Sequence, residues 1–355
     1  MILDAPAEMR RRDPSGMLRL VRELPEQIEN ALEVCSSSSV PVSKSKLTNV
    51  VVGGLGGSAI AGDILRGLME ERGSVPCFVV REYRPPGYVG PGSLVFCSSY
   101  SGNTEETLSL YDAAKEKGAE LVCLGSGGEL QRRAAADGIP FLKMEEGFPP
   151  RAAIGYSVFM IYDVLRRASF VSEAPGELEE MLSLLRGKSE DYGEEKPTSE
   201  NPAKSLAAAL HEKLIVVYGT RLFASVAMRW KCQFNENSKA LAFANVFPEL
   251  NHNEIEGWLG LRSLHAPAQI VTLRDSSEHP RVSKRIGITL ELIRTDGCGT
   301  LEVWSEGESL LARIFSLIYL GDFASIYLAF LRGEDPTPVA RIQELKRRLS
   351  EGTGR

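Results

Sequence analysis

Short apolar runs alternate with amphipathic segments along most of the chain. Near the start, apolar residues recur at helical spacing, at Met17, Leu20, Val21, Leu24, Ile28 and Leu32. From Asn49 onward, short apolar runs end in Gly- or Ser-rich turns, and each turn precedes a segment with the period of an amphipathic helix. This alternation predicts an α/β protein in which parallel strands are connected by helices that cover both faces of the sheet.

The pattern occurs twice, which predicts two domains of one architecture. In the first half the predicted strands are Asn49–Val52, Cys77–Val80, Leu94–Cys97, Leu121–Leu124 and Pro140–Lys143. In the second half they are Leu214–Tyr218, Ala240–Phe247, Gln269–Leu273 and Thr300–Trp304, followed by helices at Leu310–Leu331 and Pro338–Leu349. We predict a helical extension and linker at residues 1–40, a doubly wound, Rossmann-like domain at 41–172, a polar linker at 173–201 and a second such domain at 202–355.

The composition narrows the class of function. The chain has 355 residues with 41 Lys and Arg and 47 Asp and Glu, which gives a net charge of −6. This acidic balance argues against a nucleic-acid-binding protein. The six cysteines are scattered without a CxxC pair, and the four histidines form no HxxH or HxxxH pair. We therefore expect a protein of the reducing cytoplasm that has no metal site.

Two segments bear on targeting and on membranes. The segment 309–331 is apolar and long enough to cross a bilayer, but Arg313 and Asp322 interrupt it. Because charge near a membrane centre is costly, we predict a buried amphipathic helix and no membrane partner. The apolar stretch at the N-terminus is too short for a signal peptide. The first sixteen or so residues and the Ser36–Ser39 linker read as poorly constrained additions without an assigned role.

The loop after the first predicted strand is rich in glycine and allows three interpretations. Gly54, Gly56 and Ala59 match the spacing of a dinucleotide-binding fingerprint, and Glu82 lies where a ribose-binding acid would be sought. The same glycines could serve only a tight turn between strand and helix. They could also let backbone N–H groups approach a monophosphate at the helix N-terminus, with the Ser58 hydroxyl as a further donor.

A second loop, after the third predicted strand, favours the monophosphate interpretation. Ser99, Ser101 and Thr104 place hydroxyl groups on one turn, and Gly102 permits the bend. A hydroxyl at such a position could instead simply cap the following helix. Two loops of this kind at the carboxyl ends of neighbouring parallel strands favour a ligand crevice in which neutral donors hold the anion.

These loops resemble the first half of a sugar isomerase (SIS) domain. The resemblance rests on Gly-Gly-Ser-Ala-Ile-Ala-Gly-Asp at 56–63 and Ser-Tyr-Ser-Gly-Asn-Thr-Glu-Glu-Thr at 99–107. It implies a five-stranded parallel sheet flanked by helices, in which the Ser/Thr loop holds the phosphate of a sugar phosphate. The residues that match the phosphate and sugar contacts of such a domain are Gly57, Ser58, Ser99, Ser101 and Thr104.

Motifs in the second half show which family the chain resembles, the bifunctional phosphoglucose/phosphomannose isomerases of archaea and bacteria. The similarity covers about residues 25–349. The blocks that carry it are Asn235–Lys239, Pro248–Trp258, Leu320–Ala329, Asp335–Val339 and Ile342–Lys346. The resemblance implies two SIS domains and reversible isomerisation of glucose 6-phosphate and mannose 6-phosphate to fructose 6-phosphate. It also implies a homodimer that needs neither a metal nor another cofactor.

Aldose–ketose isomerisation requires a base that moves a proton between C1 and C2, an acid–base group at the ring oxygen, and help where the enediolate charge develops. By resemblance, Glu236 is the base and Arg151 lies beside the enediolate. His252, donated by the neighbouring subunit, and Lys346 are the ring-opening residues. Thr337 is a candidate for the small side chain that tolerates both epimers at C2.

Each of these residues also has an ordinary structural interpretation. Glu236 could be a surface acid, His252 a neighbour of a helix cap, and Lys346 part of a solvated basic face. Arg151 could pair with a glutamate nearby in the sequence. For the whole protein, the alternatives are a non-catalytic SIS-type regulator that binds a sugar phosphate, and a SIS isomerase of another sugar phosphate. The regulator would need the Ser/Thr loop but not the acid–base residues.

Overall fold

The computed structural model describes residues 2–42, 46–260 and 262–351, and it begins with packed helices. These are α1 (Pro6–Arg12), α2 (Met17–Arg22) and α3 (Leu24–Ser37). The prediction that the first residues are poorly constrained is wrong, because Leu3 is fully buried and Met9 is 1% exposed. The Leu3 carbonyl accepts a hydrogen bond from the ammonium group of Lys204 at 2.6 Å. The start of the chain is therefore tied to the second half by a buried charge that needs acceptors.

The first sheet follows the sequence prediction. Its strands are β1 (Asn49–Gly53), β2 (Cys77–Val80), β3 (Ser93–Ser98), β4 (Glu120–Gly125) and β5 (Phe141–Lys143). All pairs are parallel, in the order β2-β1-β3-β4-β5. The strands are connected through helices α4 (Gly57–Arg72), α5 (Glu105–Glu116) and α6 (Gly128–Asp137). Both central strands, β1 and β3, are buried along their whole length, as expected of a sheet that is covered on both faces.

The segment between the two sheets is helical. Helix α7 (Ile154–Arg167) closes the first unit as predicted, and helices α8 (Glu177–Asp191) and α9 (Pro202–Leu210) follow. Helix α8 lies inside the segment 173–201, for which we predicted a polar linker. Met181 and Leu185 of α8 are fully buried, so the polar residues form the outer face of a packed helix. The domain boundaries at 172 and 202 stay predictions.

The second sheet repeats the arrangement of the first. Its strands are β6 (Leu214–Gly219), β7 (Ala242–Val246), β8 (Ala268–Arg274) and β9 (Gly299–Trp304), and its helices are α10 (Ala224–Glu236), α11 (Glu254–Gly257) and α12 (Pro280–Thr295). The strands are parallel in the order β7-β6-β8-β9. The two parallel sheets confirm the predicted α/β class. The described residues form five strands in the first sheet and four in the second.

The helix α13 (Leu310–Arg332) runs through the core. Among the described residues it is the one helix long and apolar enough to cross a membrane, by length and composition only, and 89% of its most apolar stretch is buried inside the protein. The predicted burial of this helix is confirmed, but its predicted amphipathic character is wrong, because every residue from Ile314 to Phe330 is buried. The charge of Asp322 is accommodated in the core because Arg229 pairs with it.

The last helix, α14 (Ala340–Glu351), lies on the surface. Of its side chains that the structure describes, none is buried. Ile342, Leu345 and Leu349 fall on one face of the helix and are 41%, 58% and 58% exposed. An apolar helix face therefore lacks a cover within the described part of the chain.

Candidate active site

The glycine loop after β1 brings the N-terminus of α4 against the end of β3. Gly56 has a φ of +54°, which favours glycine. A Cβ atom on Gly54 would lie 2.7 Å from the Ser58 Cβ and 2.8 Å from the Ser98 carbonyl oxygen, closer than real Cβ contacts. The loop therefore needs both glycines for its shape. It places Ser58, which is 6% exposed, in the first turn of α4.

The Ser/Thr loop follows the neighbouring strand β3, so both loops lie at the same edge of the sheet. The Ser99 Oγ lies 2.9 Å from the Thr104 Oγ1. The Ser101 Oγ accepts a hydrogen bond from the Asn103 N–H at 3.3 Å. Thr104 occupies the N-cap position of α5, but its side chain makes no capping hydrogen bond. The simple helix-cap interpretation is therefore wrong for Thr104, whose hydroxyl faces another hydroxyl instead.

A short 3-10 turn, Pro150–Ala152, rests on the glycine loop. A Cβ atom on Gly57 would lie 2.7 Å from the Pro150 carbonyl oxygen and 3.5 Å from the Arg151 Cα. The missing side chain of Gly57 therefore lets this turn approach the N-terminus of α4. Gly57, which the resemblance assigns to substrate binding, also positions the backbone of Arg151.

Arg151 is 6% exposed and is held in one orientation. Its Nε donates to the Asn237 Oδ1 at 2.5 Å, and its Nη2 donates to the carbonyl oxygens of Pro336 and Thr337 at 2.7 and 2.8 Å. Its Nη1 lies 3.8 Å from the Glu236 Oε2 and makes no hydrogen bond to the described residues. Because a guanidinium carries five N–H donors, the two on Nη1 remain available beside a carboxylate.

Arg151 does not pair with the glutamates that lie near it in the sequence. The glutamates that could have paired with Arg151 have other partners: Glu145 accepts a hydrogen bond from the Tyr156 hydroxyl, and Glu146 lies 3.1 Å from Lys143. Glu236 is the last residue of α10, and its side chain is 28% exposed. Glu236 is therefore a partly exposed acid whose carboxylate lies near the Arg151 guanidinium. Burial lowers the pKa of Arg151 and the Glu236 carboxylate opposes that shift, and an arginine stays charged at neutral pH.

Lys239 holds the loop that carries Thr337. Its Nζ donates to the Asp335 carbonyl oxygen at 2.6 Å and to the Asn237 carbonyl oxygen at 3.2 Å. Burial and the neighbouring charge of Arg151 lower the pKa of Lys239. The Thr337 hydroxyl oxygen is buried and has no hydrogen-bond partner among the described residues. Asn237 and Lys239 received no role from the sequence, although both lie in the block Asn235–Lys239 that carries the family resemblance.

The structure does not bring the predicted ring-opening residues into this cluster. His252 ends a short 3-10 turn after β7 and is exposed. Lys346 lies on the exposed helix α14. Neither side chain makes a hydrogen bond or ion pair with the residues that the structure describes. The exposure of Lys346 agrees with its solvated interpretation, and a role of either residue in ring opening stays a prediction.

No metal centre is visible in the arrangement of the side chains that the structure describes. Within residues 2–42, 46–260 and 262–351, no group of three or more His, Cys, Asp or Glu side chains could hold a metal ion. Metal-independent catalysis stays a prediction, and removal of metal ions tests it below.

Two family descriptions match the chain. The description "SIS domain" matches residues 43–138, and "Bacterial phospho-glucose isomerase C-terminal SIS domain" matches residues 199–349. The first range contains β1 to β4, the glycine loop and the Ser/Thr loop. The second contains the second sheet, Glu236 and most of α14.

Curated proteins resemble the chain over nearly its full length. The bifunctional phosphoglucose/phosphomannose isomerase of Caldicellulosiruptor bescii is 43% identical over 336 residues, which cover 94% of this chain and 99% of that protein. The enzyme of the same name from Aquifex aeolicus is 36% identical over 304 residues, which cover 85% and 90%. The crystal structure of a hypothetical protein from Thermus thermophilus superposes with a TM-score of 0.76 at 17% identity and covers 98% of this chain and 95% of that one. At that identity the similarity concerns the fold alone.

Proposed function

Because the chain belongs to the family of bifunctional phosphoglucose/phosphomannose isomerases, we propose that it interconverts glucose 6-phosphate and mannose 6-phosphate with fructose 6-phosphate in the crevice formed by the two loops and the Arg151–Glu236 pair. The observation that carries the assignment of the site is the 3.8 Å separation between the Glu236 Oε2 and the Arg151 Nη1. A carboxylate beside a fixed guanidinium with free N–H groups supplies a base and a partner for developing negative charge in one place.

We assign the proton transfer between C1 and C2 to Glu236. Its carboxylate removes the proton from C2 of the open-chain aldose, and negative charge develops on O1. A proton moves from O2 to O1 through the enediol, and the protonated Glu236 returns its proton to C1 to give the ketose. The Nη1 N–H groups of Arg151 face this carboxylate and stabilise the enediolate oxygens by donating hydrogen bonds. The reverse reaction uses the same groups.

The phosphate belongs in the crevice between the two loops. Ser99 and Thr104 offer hydroxyl groups 2.9 Å apart, and Ser58 and Ser101 add further hydroxyls. The N-termini of α4 and α5 point backbone N–H groups toward the same edge of the sheet. The hydroxyls and the helix N-termini are neutral donors, so the loops hold the phosphate without a lysine or arginine of their own.

Ring opening requires residues that a single subunit leaves outside the cluster. We propose a homodimer in which His252 of the partner subunit and Lys346 reach the ring oxygen. Two observations support it: His252 and Lys346 are exposed without a partner among the described residues, and Leu241 and Phe243 near His252 in the chain are 60% and 50% exposed. Apolar surface of this kind is typical of an interface between subunits.

We propose that the protein acts in the reducing cytoplasm. All six cysteines lie within the described residues, and all are free thiols. Five of them are buried, where a thiol packs as a small apolar group.

The test is a coupled assay for fructose 6-phosphate in the presence of EDTA, with glucose 6-phosphate and mannose 6-phosphate supplied separately. Activity on both substrates should survive the removal of metal ions. Glu236→Gln should lower kcat by about 10²–10⁴-fold, the usual contribution of a positioned base. Glu146→Gln is the matched control, because the Glu146 side chain is 71% exposed and pairs only with Lys143 among the described residues.

Each other outcome overturns a different part of the proposal. Activity on glucose 6-phosphate alone would show that mannose 6-phosphate is not a substrate. Binding of both sugar phosphates without turnover would favour the non-catalytic regulator. Full activity of Glu236→Gln would show that Glu236 is not the base. Loss of activity in EDTA that is restored by added metal ions would show that catalysis requires a metal ion.

A further inference from the structure

One face of α10 carries polar side chains in line with the active site. Arg229, Gln233 and Glu236 follow at spacings of four and three, so they lie along the same side of the helix. Arg229 and Gln233 are 2% and 1% exposed, while Glu236 ends the row with its Oε2 3.8 Å from the Arg151 Nη1. A shift or rotation of this face therefore moves the Glu236 carboxylate.

Asp322 of α13 anchors this face in the core. The Arg229 Nε donates to the Asp322 Oδ1 at 2.9 Å, the Arg229 Nη2 donates to the Oδ2 at 2.6 Å, and the Gln233 Nε2 donates to the Oδ1 at 2.9 Å. Two parallel bonds between a guanidinium and a carboxylate define the orientation of both groups. A buried ion pair is often no more stabilising than apolar residues of similar volume. Orientation is therefore what this pair contributes beyond packing.

The same guanidinium also holds the turn that carries Arg151. The Arg229 Nη2 donates to the Arg151 carbonyl oxygen at 3.0 Å. On the other side, the Asn237 Nδ2 donates to the Ser325 Oγ at 2.8 Å, and the Ser325 Oγ donates to the Asp322 carbonyl oxygen at 2.7 Å. The Asn237 Oδ1 in turn accepts a hydrogen bond from the Arg151 Nε. The hydrogen bonds therefore form a closed ring that starts at the Arg151 carbonyl oxygen, passes through Arg229, Asp322, Ser325 and Asn237, and returns to the Arg151 side chain.

We propose that Arg229 and Asp322 are positioning residues that set the distance between the Arg151 guanidinium and the Glu236 carboxylate. They act through the backbone of Arg151 and through the placement of α10, and the ring joins a turn of the first domain to two helices of the second. This inference rests on the roles proposed above for Arg151 and Glu236. The base must lie within reach of C1 and C2, and a displacement of about 1 Å can cost about 10²-fold in rate.

The test replaces the pair as a unit, because removal of one partner alone would leave a buried charge. In Arg229→Met/Asp322→Asn we expect kcat to fall about 10- to 100-fold, because a small displacement of the Arg151 guanidinium or the Glu236 carboxylate lowers the rate. KM for both sugar phosphates should stay close to its original value, since the phosphate loops are untouched.

The matched control is a second ion pair of low exposure at the far end of α4. The Arg72 Nη1 lies 2.6 Å from the Glu177 Oε2, and the side chains are 16% and 0% exposed. Arg72 ends α4, about 22 Å along the helix from Gly57 at its start. Arg72→Met/Glu177→Gln should change the melting temperature without moving kcat.

An unchanged kcat in a folded double variant would overturn the proposal, and so would an equal loss in the Arg72/Glu177 control. If the double variant does not fold, Arg229→Lys decides. A lysine keeps the charge beside Asp322 but cannot also reach the Arg151 carbonyl with the same planar fork. Reduced kcat at constant KM supports positioning, and full activity overturns it. Glu236→Gln is measured in parallel, because its activity would refute the proposed base independently of Arg229.

Discussion

The Arg151 guanidinium is fixed in place by hydrogen bonds to neutral oxygens, which do not neutralise its charge. Its protein partners at Nε and Nη2 are the amide oxygen of Asn237 and the backbone carbonyls of Pro336 and Thr337, which are all neutral acceptors. Its anionic partner is Glu236, at 3.8 Å from Nη1. Neutral acceptors can fix the orientation of a guanidinium while its positive charge stays available for an oxyanion. This use of its donors is what separates Arg151 from an ordinary structural arginine.

A substitution at the single residue Thr337 tests which of the two aldose phosphates the site accepts. Its carbonyl oxygen binds Arg151, and its hydroxyl oxygen is buried without a hydrogen-bond partner among the described residues. If the small side chain leaves room for both C2 epimers, Thr337→Gln should lower kcat/KM for mannose 6-phosphate about tenfold more than for glucose 6-phosphate, a typical effect of pocket shape. Coupled assays on both aldoses measure this ratio.

Thr337→Ser serves as the control for that measurement, because it keeps the hydroxyl and stays small. It should preserve the ratio between the two substrates. An equal loss on both aldoses in Thr337→Gln would contradict a role in C2 tolerance.

The elements meet at the site because particular glycines lack side chains. Helix α4 begins at Gly57, and the turn that carries Arg151 rests on that first residue. Helix α10 ends at Glu236, so the proposed base projects from the last turn of this helix. A hydrogen bond from Arg229 to Asp322 anchors the helix to α13. The site is therefore built where one helix starts and another ends, and each end is placed by packing deeper in the core.

Gly57→Ala tests this contact between elements. The added Cβ would lie 2.7 Å from the Pro150 carbonyl oxygen, so the Arg151 turn must move. We expect kcat to fall about tenfold, because small shifts of catalytic groups are costly. The change is measured by steady-state kinetics together with thermal unfolding.

Gly67→Ala is the matched control on the same helix. Its Cβ would have as nearest neighbour the Leu222 carbonyl oxygen, at an ordinary 3.8 Å. An alanine inside a helix should raise the free energy of unfolding by about 0.5–1 kcal/mol and leave kcat unchanged. Full activity of Gly57→Ala would show that the turn does not depend on this close approach.

At the scale of the molecule, the two halves supply different parts of one site. The first half of the chain contributes the two loops proposed to bind phosphate and Arg151, and the second half contributes Glu236 from α10. Helix α13 packs in the largest core cluster, which contains residues of both domains. The described part of one subunit still leaves His252 and Lys346 without partners, and α14 presents an uncovered apolar face. These features together support a functional unit larger than one chain.

Co-expression of two inactive variants tests a shared site. If His252 comes from the partner subunit, a hybrid of Glu236→Gln and His252→Ala chains contains one intact site. Random pairing should then restore about a quarter of the unmodified activity, because half of the dimers are hybrids with one good site in two. Sedimentation analysis of the same samples reports the oligomeric state.

Two results would contradict the shared site. Hybrids without activity would place His252 in the same subunit as its Glu236. A fully active monomer in the sedimentation experiment would remove the need for a partner altogether.

The amino-acid sequence by itself determined the strands, their parallel class and the position of the two loops proposed to bind phosphate. Short apolar runs such as Leu94–Cys97 and the glycines and hydroxyls that follow them act locally, so their pattern is readable without the fold. Family motifs added Glu236 and Arg151. Local pattern failed for α8, whose polar outer face resembled a linker, and for α13, whose charges resembled one polar side of an amphipathic helix.

Only the tertiary structure decided how the catalytic groups meet. Arg151 and Asn237 are separated by 86 positions, and the partner of Asp322 lies 93 positions away on α10. No periodicity links such residues, because their contacts depend on how two sheets and their helices pack. The same packing determines the hydrogen-bond partners of Arg151, buries the charge of Asp322 against Arg229 and places Glu236 beside the Arg151 guanidinium. Local chemistry thus determined which groups are present, and packing decided which of them act together.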